Sequence, residues 1–157
     1  MKRWIDIAYL MLLGATLGLV LSLGAIVAPV IFHANDYLDQ ELLSHYQMGL
    51  LMTAIFLKAN YWLNFTAFVI ILREGYAYKS FERDRIVVPS AATAVLMIFL
   101  FTLYYTNQIV SLQAKGQSVV EDPTFETIHK ASEIDFGLLA LSLVLLLGRR
   151  LYLITKG

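Results

Sequence analysis

The sequence contains no cysteine and only three prolines. Without cysteine there is no disulfide scaffold, thiolate metal site, iron–sulfur cluster, c-type haem attachment or thiol nucleophile. Charge is scarce as well. Asp, Glu, Lys and Arg make up 15% of residues, against about 25% in average soluble domains. Basic and acidic residues number 12 each, so no positive excess points to nucleic acid. The chain also lacks a P-loop, a dinucleotide fingerprint, a G-x-S-x-G elbow and an H-E-x-x-H pair. What is abundant is apolar. Hydrophobic residues are 59% of the 157, and the mean hydropathy is +0.67. A chain this short buries only about 60–70% of its surface in an aqueous fold, so the excess must face lipid.

Four stretches carry that excess. Residues 7–32 hold no charge, and residues 48–72 hold only Lys58. Residues 86–114 and 136–148 are also uncharged. A helix crosses about 30 Å of hydrocarbon in about 20 residues. The first three stretches suffice, and the fourth must extend both ways, with Arg149 and Arg150 snorkelling at one end. The expectation is an all-α polytopic membrane protein of one domain, residues 1–157. Its four transmembrane helices form an antiparallel bundle, with spans at about 5–32, 47–72, 86–112 and 128–153. The first stretch is longer than a signal-peptide core and has no A-x-A-like exit, so it reads as a retained helix.

Basic residues set the expected orientation. Lys2 and Arg3 precede the first span. Arg73, Lys79, Arg83 and Arg85 lie between the second and third, and Arg149, Arg150 and Lys156 close the chain. Both termini and the middle loop are therefore expected in the cytoplasm. The other two loops are acidic, with Asp36, Asp39, Glu41, Glu121, Asp122 and Glu126. Asp122-Pro123 is a helix-start signal, a capping residue followed by proline at the first helical position.

Within the spans, Gly14, Gly18 and Ser22 recur at four-residue spacing. Such faces let helix backbones approach closely in lipid, and packing inside the monomer is expected ahead of a homo-oligomer seam. Pro29 should kink or end the first helix. Lys58 is costly at membrane depth without a partner. Taking Arg73 and Arg149 as one plane, Lys58 and Asp135 both lie about 21–22 Å above it, so an ion pair is expected, with Glu133 as the alternative acid. It would fix helix register or serve a proton or ion relay. Asn60 and Asn64 share a helix face and read as interhelical hydrogen-bonding groups, as do Thr102 and Asn107 on the third span.

His33, His45 and His129 all fall at helix ends on the outer side. Histidine is the commonest metal ligand and a pH switch. His129 and Glu133 are one turn apart. His45, Met48 and Met52 share a face, and imidazole with thioether would suit Cu(I), although the methionines also read as apolar filling. A bis-histidine haem held by His33 and His129 is a further candidate.

Three stretches together resemble the TMEM205-like family, also called the DUF4149 domain. They are Gly24-Ala25-Ile26-Val27-Ala28-Pro29-Val30-Ile31-Phe32, then Ile55-Phe56-Leu57-Lys58-Ala59-Asn60-Tyr61-Trp62, then Phe125, His129 and Ser132. The resemblance implies a compact four-helix membrane domain and singles out Pro29, Lys58, Asn60, His129 and Ser132. The family usually has Asn about two turns after the histidine; here Phe136 stands there, with Asp135 one position earlier. It also implies some handling of a metal or small molecule, and the short loops and economy of the chain point to a bacterial inner membrane.

Three functions are compatible with these features. One binds or moves a cation, haem or small solute through a polar site in the outer half, using Lys58, His129, Glu133 and Asp135. The second is a non-catalytic accessory subunit of a larger inner-membrane, respiratory assembly. The third is a haem-dependent membrane redox enzyme. Beyond the lipid bilayer, a membrane-protein partner or a second copy is the expected company.

Overall fold

The computed structural model describes residues 2–38, 42–118 and 122–156. The side chains of Lys2 and Arg3, and the loop acids Asp39, Glu41 and Glu121, lie outside the described residues. Among those described, every regular element is helical. Four helices are long and apolar enough to cross a membrane: Trp4–Phe32, His45–Lys79, Val87–Gln113 and Pro123–Lys156. They form an all-α polytopic bundle.

Local chemistry sets the helix ends. Ser44 Oγ accepts from the Gln47 amide at 3.2 Å while Gln47 Oε1 accepts from the Ser44 amide at 2.9 Å. This reciprocal cap starts the second helix at His45. The helix runs past position 72 to Lys79. There the Glu82 amide reaches back to the Ala77 carbonyl and the Phe81 amide to that of Tyr78, with Phe81 at φ 63°. These are the two bonds of a Schellman ending. Asp122 Oδ1 accepts from the Thr124 amide at 2.8 Å, and the fourth helix opens at Pro123, where the Asp122-Pro123 signal puts its start.

Each span packs on its sequence neighbour, and the fourth closes on the first, giving an antiparallel ring with both termini at one end. That end is stitched by charge. Arg73 pairs with Asp6 at 2.8 Å, Arg150 with Glu74, and Arg149 grips Asp84 with three hydrogen bonds of 2.7–3.2 Å. Paired forks of this kind add geometric specificity as well as energy. The Asp84 carboxyl also accepts from the Ile86 and Val87 amides, and Arg149 together with these bonds holds it well below its ordinary range. Away from the ring's centre, large apolar side chains point outward, among them Met11, Phe65, Phe68, Leu103 and Leu141. Outward apolar side chains on hydrogen-bonded helices suit lipid.

The first span buries Tyr9, Leu13, Thr16, Val20 and Leu23, at alternating steps of four and three. That seam corrects the expectation for Gly14, Gly18 and Ser22. Gly18 and Ser22 are exposed, and a Cβ added at Gly14 or Gly18 would meet no atom within 4 Å. The small-residue face therefore does not pack inside the monomer. The reason is helical phase: the seam through Leu13, Thr16 and Val20 faces the bundle, so the stripe beside it faces away.

Two short π-helical turns interrupt the spans, at Leu23–Val27 in the first and Leu100–Tyr105 in the third. In the first span the Ala28 amide bonds to the Leu23 carbonyl, and Pro29 follows. Proline removes one hydrogen bond from the preceding turn, so the kink falls where its position requires. In the third span no proline or glycine is involved. There the Thr106 hydroxyl donates to the Phe101 carbonyl at 2.8 Å, a side-chain bond made where the ladder is irregular.

Candidate functional site

At the end opposite the termini, the four spans enclose a cavity of about 460 Å³. Both π turns border it, through Gly24 and Ala25 on one side and Phe101 on the other. Its floor is a cluster of three rings. Phe56, Phe101 and Phe136 stand 4.8–5.4 Å apart, centroid to centroid, and separate the cavity from the core below. Gly24 lies beside them: an added Cβ would make an ordinary contact with the Phe136 ring at 3.8 Å.

The roof is aromatic and imidazole. The Phe32 ring lies 5.4 Å from that of His45 and 6.1 Å from that of His129. Phe125 stacks on His129 at 6.0 Å with the planes 3° apart. His129 Nε2 is 3.2 Å from Glu133 Oε1. Tyr46 OH donates to the Gln113 carbonyl at 2.7 Å and ties the second span to the third at this level. Thr53, Thr106, Gln113 and Ser132 add polar groups to walls that are mostly apolar; the Ser132 and Thr106 hydroxyls donate to the carbonyls of His129 and Phe101 on their own spans.

The structure thus brings together some of the sequence candidates and separates others. His45, His129, Glu133 and Met52 line the cavity. His33 does not; its Nδ1 lies 2.9 Å from the Pro29 carbonyl on its own helix. The histidines that converge on one ring are His45 and His129, not the His33 and His129 pair considered for haem. Met48 and Met52 are both buried; Met52 lines the cavity and Met48 does not. Among the described residues, no three histidine or carboxylate groups converge as a metal-ligand set.

The Lys58 pairing is also corrected. Lys58 is exposed, on the same helix face as the exposed Tyr61, Phe65 and Phe68. Neighbouring Ala59, Asn60 and Leu63 take the inward positions. Lys58 therefore points away from Asp135, and its long stem lets the ammonium climb toward the interface. Asp135 is buried at 4% exposure, with no partner for Oδ2 among the described residues, and Glu133 is held by His129 instead.

Asn60 and Asn64 both reach from the second span to the third. Asn60 Nδ2 donates to Thr106 Oγ1 at 3.1 Å, and Asn64 Oδ1 accepts from Thr102 at 2.9 Å. Both bonds anchor the second span to the π turn of the third or the residue just after it. Sequence reasoning missed Thr16. Fully buried, its Oγ1 meets Thr66 Oγ1 at 2.9 Å and accepts from Trp62 Nε1 at 2.9 Å.

A family model described as a domain of unknown function, DUF4149, matches residues 11–118. The chain belongs to the DUF4149 family. No curated protein and no solved structure matches it. The DUF4149 match takes in the first span from residue 11, the second and third spans, both π turns and the floor residues Phe56 and Phe101. Phe125, His129 and Ser132, which close the cavity from the fourth span, lie beyond it.

Proposed function

We propose that this DUF4149 protein binds a small, largely apolar solute in the cavity at its histidine end. The observation that carries this reading is the cavity itself. At about 460 Å³ it is within the range of ligand sites, about 300–1,000 Å³. Its wall is mostly apolar, with a few hydroxyl, imidazole and carboxylate groups gathered toward the roof, the composition that such sites use to orient a ligand. A cation or metal is less well served, because the donors among the described residues do not converge. The basic residues at the other end support an orientation with both termini in the cytoplasm. In that orientation the cavity lies in the outer half of a bacterial inner membrane.

The test is extraction. Protein purified in mild detergent is analysed by native mass spectrometry for a retained small molecule. Thr53→Phe and Ala28→Phe each put a ring into the cavity, and both are expected to lower the retained amount at least tenfold while thermal unfolding stays close to the parent's. Equal retention in parent and both variants would refute the reading.

A further inference from the structure

The first and fourth spans pack closely along Lys2–Ser22, and above it their contact thins to Gly24 beside the Phe136 ring and Phe32 beside His129. The π turn at Leu23–Val27 redirects the top of the first span, so that Ala28–Phe32 packs on the second span instead. A slot is left between the first and fourth spans beside the cavity. Its lips are small or exposed: Gly24 and Ala25 on one side, Gly137 and Glu133 on the other. A Cβ added at Gly137 would meet no atom within 4 Å. The cavity residues of the second and third spans at this depth, such as Met52, Thr53 and Phe101, are buried or half-buried. Above the slot, Phe32 against His129 closes the roof. The slot is therefore a sideways opening, toward lipid.

We propose that the cavity takes its ligand from the lipid phase through this slot, and that the ligand is a single-chain amphiphile whose headgroup donates hydrogen bonds. The proposal rests on the reading that the cavity binds a small apolar solute. The wall grades from the three phenyl rings of the floor to His129, Ser132 and Glu133 near the roof, so a bound amphiphile lies head up and tail down. Glu133 at the lip, shared with His129, is an acceptor, and the carboxylates of Asp36 and Asp122 lie at the same end, where Glu126 is neutralised by Lys130. An amine or hydroxyl headgroup fits that surface, whereas a carboxylate meets like charge.

The test uses the full chain in lipid nanodiscs with a photoactivatable sixteen-carbon fatty amine carrying a mid-chain diazirine. Cross-links are mapped by peptide mass spectrometry. The expected result is labelling concentrated on residues 24–32 and 132–140, at least tenfold above that at the outward-facing Phe68. Gly137→Trp and Ala25→Trp block the slot from opposite lips, and each is expected to cut cavity labelling about tenfold. Leu103→Trp, on the outward face of the third span, should leave it unchanged. A fatty acid of the same length should label about tenfold less than the amine; equal labelling overturns the headgroup assignment. A small phenyl diazirine without headgroup separates the two readings. If it labels the cavity while the amine is indifferent to both tryptophans, lateral access is wrong and the cavity reading survives. If neither probe labels the cavity of the parent protein, both fall.

Discussion

Thr102, inside the π turn of the third span, donates its hydroxyl to Asn64 on the second at 2.9 Å. One turn above, Asn60 donates to Thr106, which itself bonds the Phe101 carbonyl. Interhelical hydrogen bonds in membranes average about 0.6 kcal/mol and reach about 1.7. Asn64→Leu and Thr102→Val should therefore each lower unfolding free energy by roughly 1 kcal/mol. A double-mutant cycle in detergent, followed by circular dichroism, should return a coupling of about 0.6 kcal/mol. A coupling of zero would mean that the contact is geometrically present but carries no energy.

The role of these amides is legible in the sequence, because an amide at membrane depth has few other uses. The four spans are legible for the same reason: uncharged runs of that length have one home. The direction of Lys58 is not. Its charge announces a partner, but its direction is decided by Ala59 and Leu63, which take the inward phase of the helix. The cavity is hidden more deeply. Pro29 announces a kink in the first span, yet nothing in the third marks the π turn at Leu100–Tyr105. Phe56, Phe101 and Phe136 lie within apolar spans with nothing in the sequence to single them out, and only the paths of the backbones bring their rings together as a cavity floor.

Thr16 illustrates a residue whose weight comes wholly from its neighbours. Its hydroxyl meets both Thr66 and Trp62, and donates to its own Leu12 carbonyl at 2.9 Å. Thr16→Val keeps the shape but strips the partner from Trp62 Nε1. Leaving such a group unsatisfied costs about 1–3 kcal/mol. Thr16→Ser, which keeps the hydroxyl, should lose less than the valine. Thermal unfolding monitored by tryptophan fluorescence distinguishes them, and equal losses for both would assign the effect to packing alone.

Asp135 lies buried beside no cation among the described residues, so it needs no charge to hold the fold. Asp135→Asn removes no ion pair and keeps a similar volume. Its thermal stability should fall within about 1 kcal/mol of the parent or exceed it, unlike the loss that follows a broken buried pair. A loss of about 3 kcal/mol or more would reveal a partner cation.

Asp84 links stability to pH at the basic end. Its carboxyl is held below the ordinary value of 3.8, first by Arg149 and then by the Val87 and Ile86 amides. A depressed carboxylate stabilises the fold fully above the unfolded value and loses that contribution as pH falls below it. Unfolding temperature should therefore drop more steeply below about pH 4 for the parent than for Asp84→Asn, which has no charge to lose. Parallel curves for the two proteins between about pH 5 and pH 2 would remove Asp84 from the acid response.

Phe81 occupies the left-handed position of the Schellman ending, where glycine is usual, at φ 63°. That conformation costs a side-chain-bearing residue about 1–2 kcal/mol. The ring returns part of it, since the Arg83 guanidinium sits 5.5 Å above it, although the same group lies closer, at 4.5 Å, to Tyr78. An exposed contact of this kind is worth about 0.5–1 kcal/mol. Phe81→Gly should then stabilise the protein by up to about 1 kcal/mol. Phe81→Ala keeps the backbone cost and loses the ring, so it should destabilise by about 0.5–1 kcal/mol. The ordering Gly, Phe, Ala in thermal unfolding is the signature of the left-handed cap. An alanine variant as stable as the glycine one would show that the turn relaxes out of that conformation.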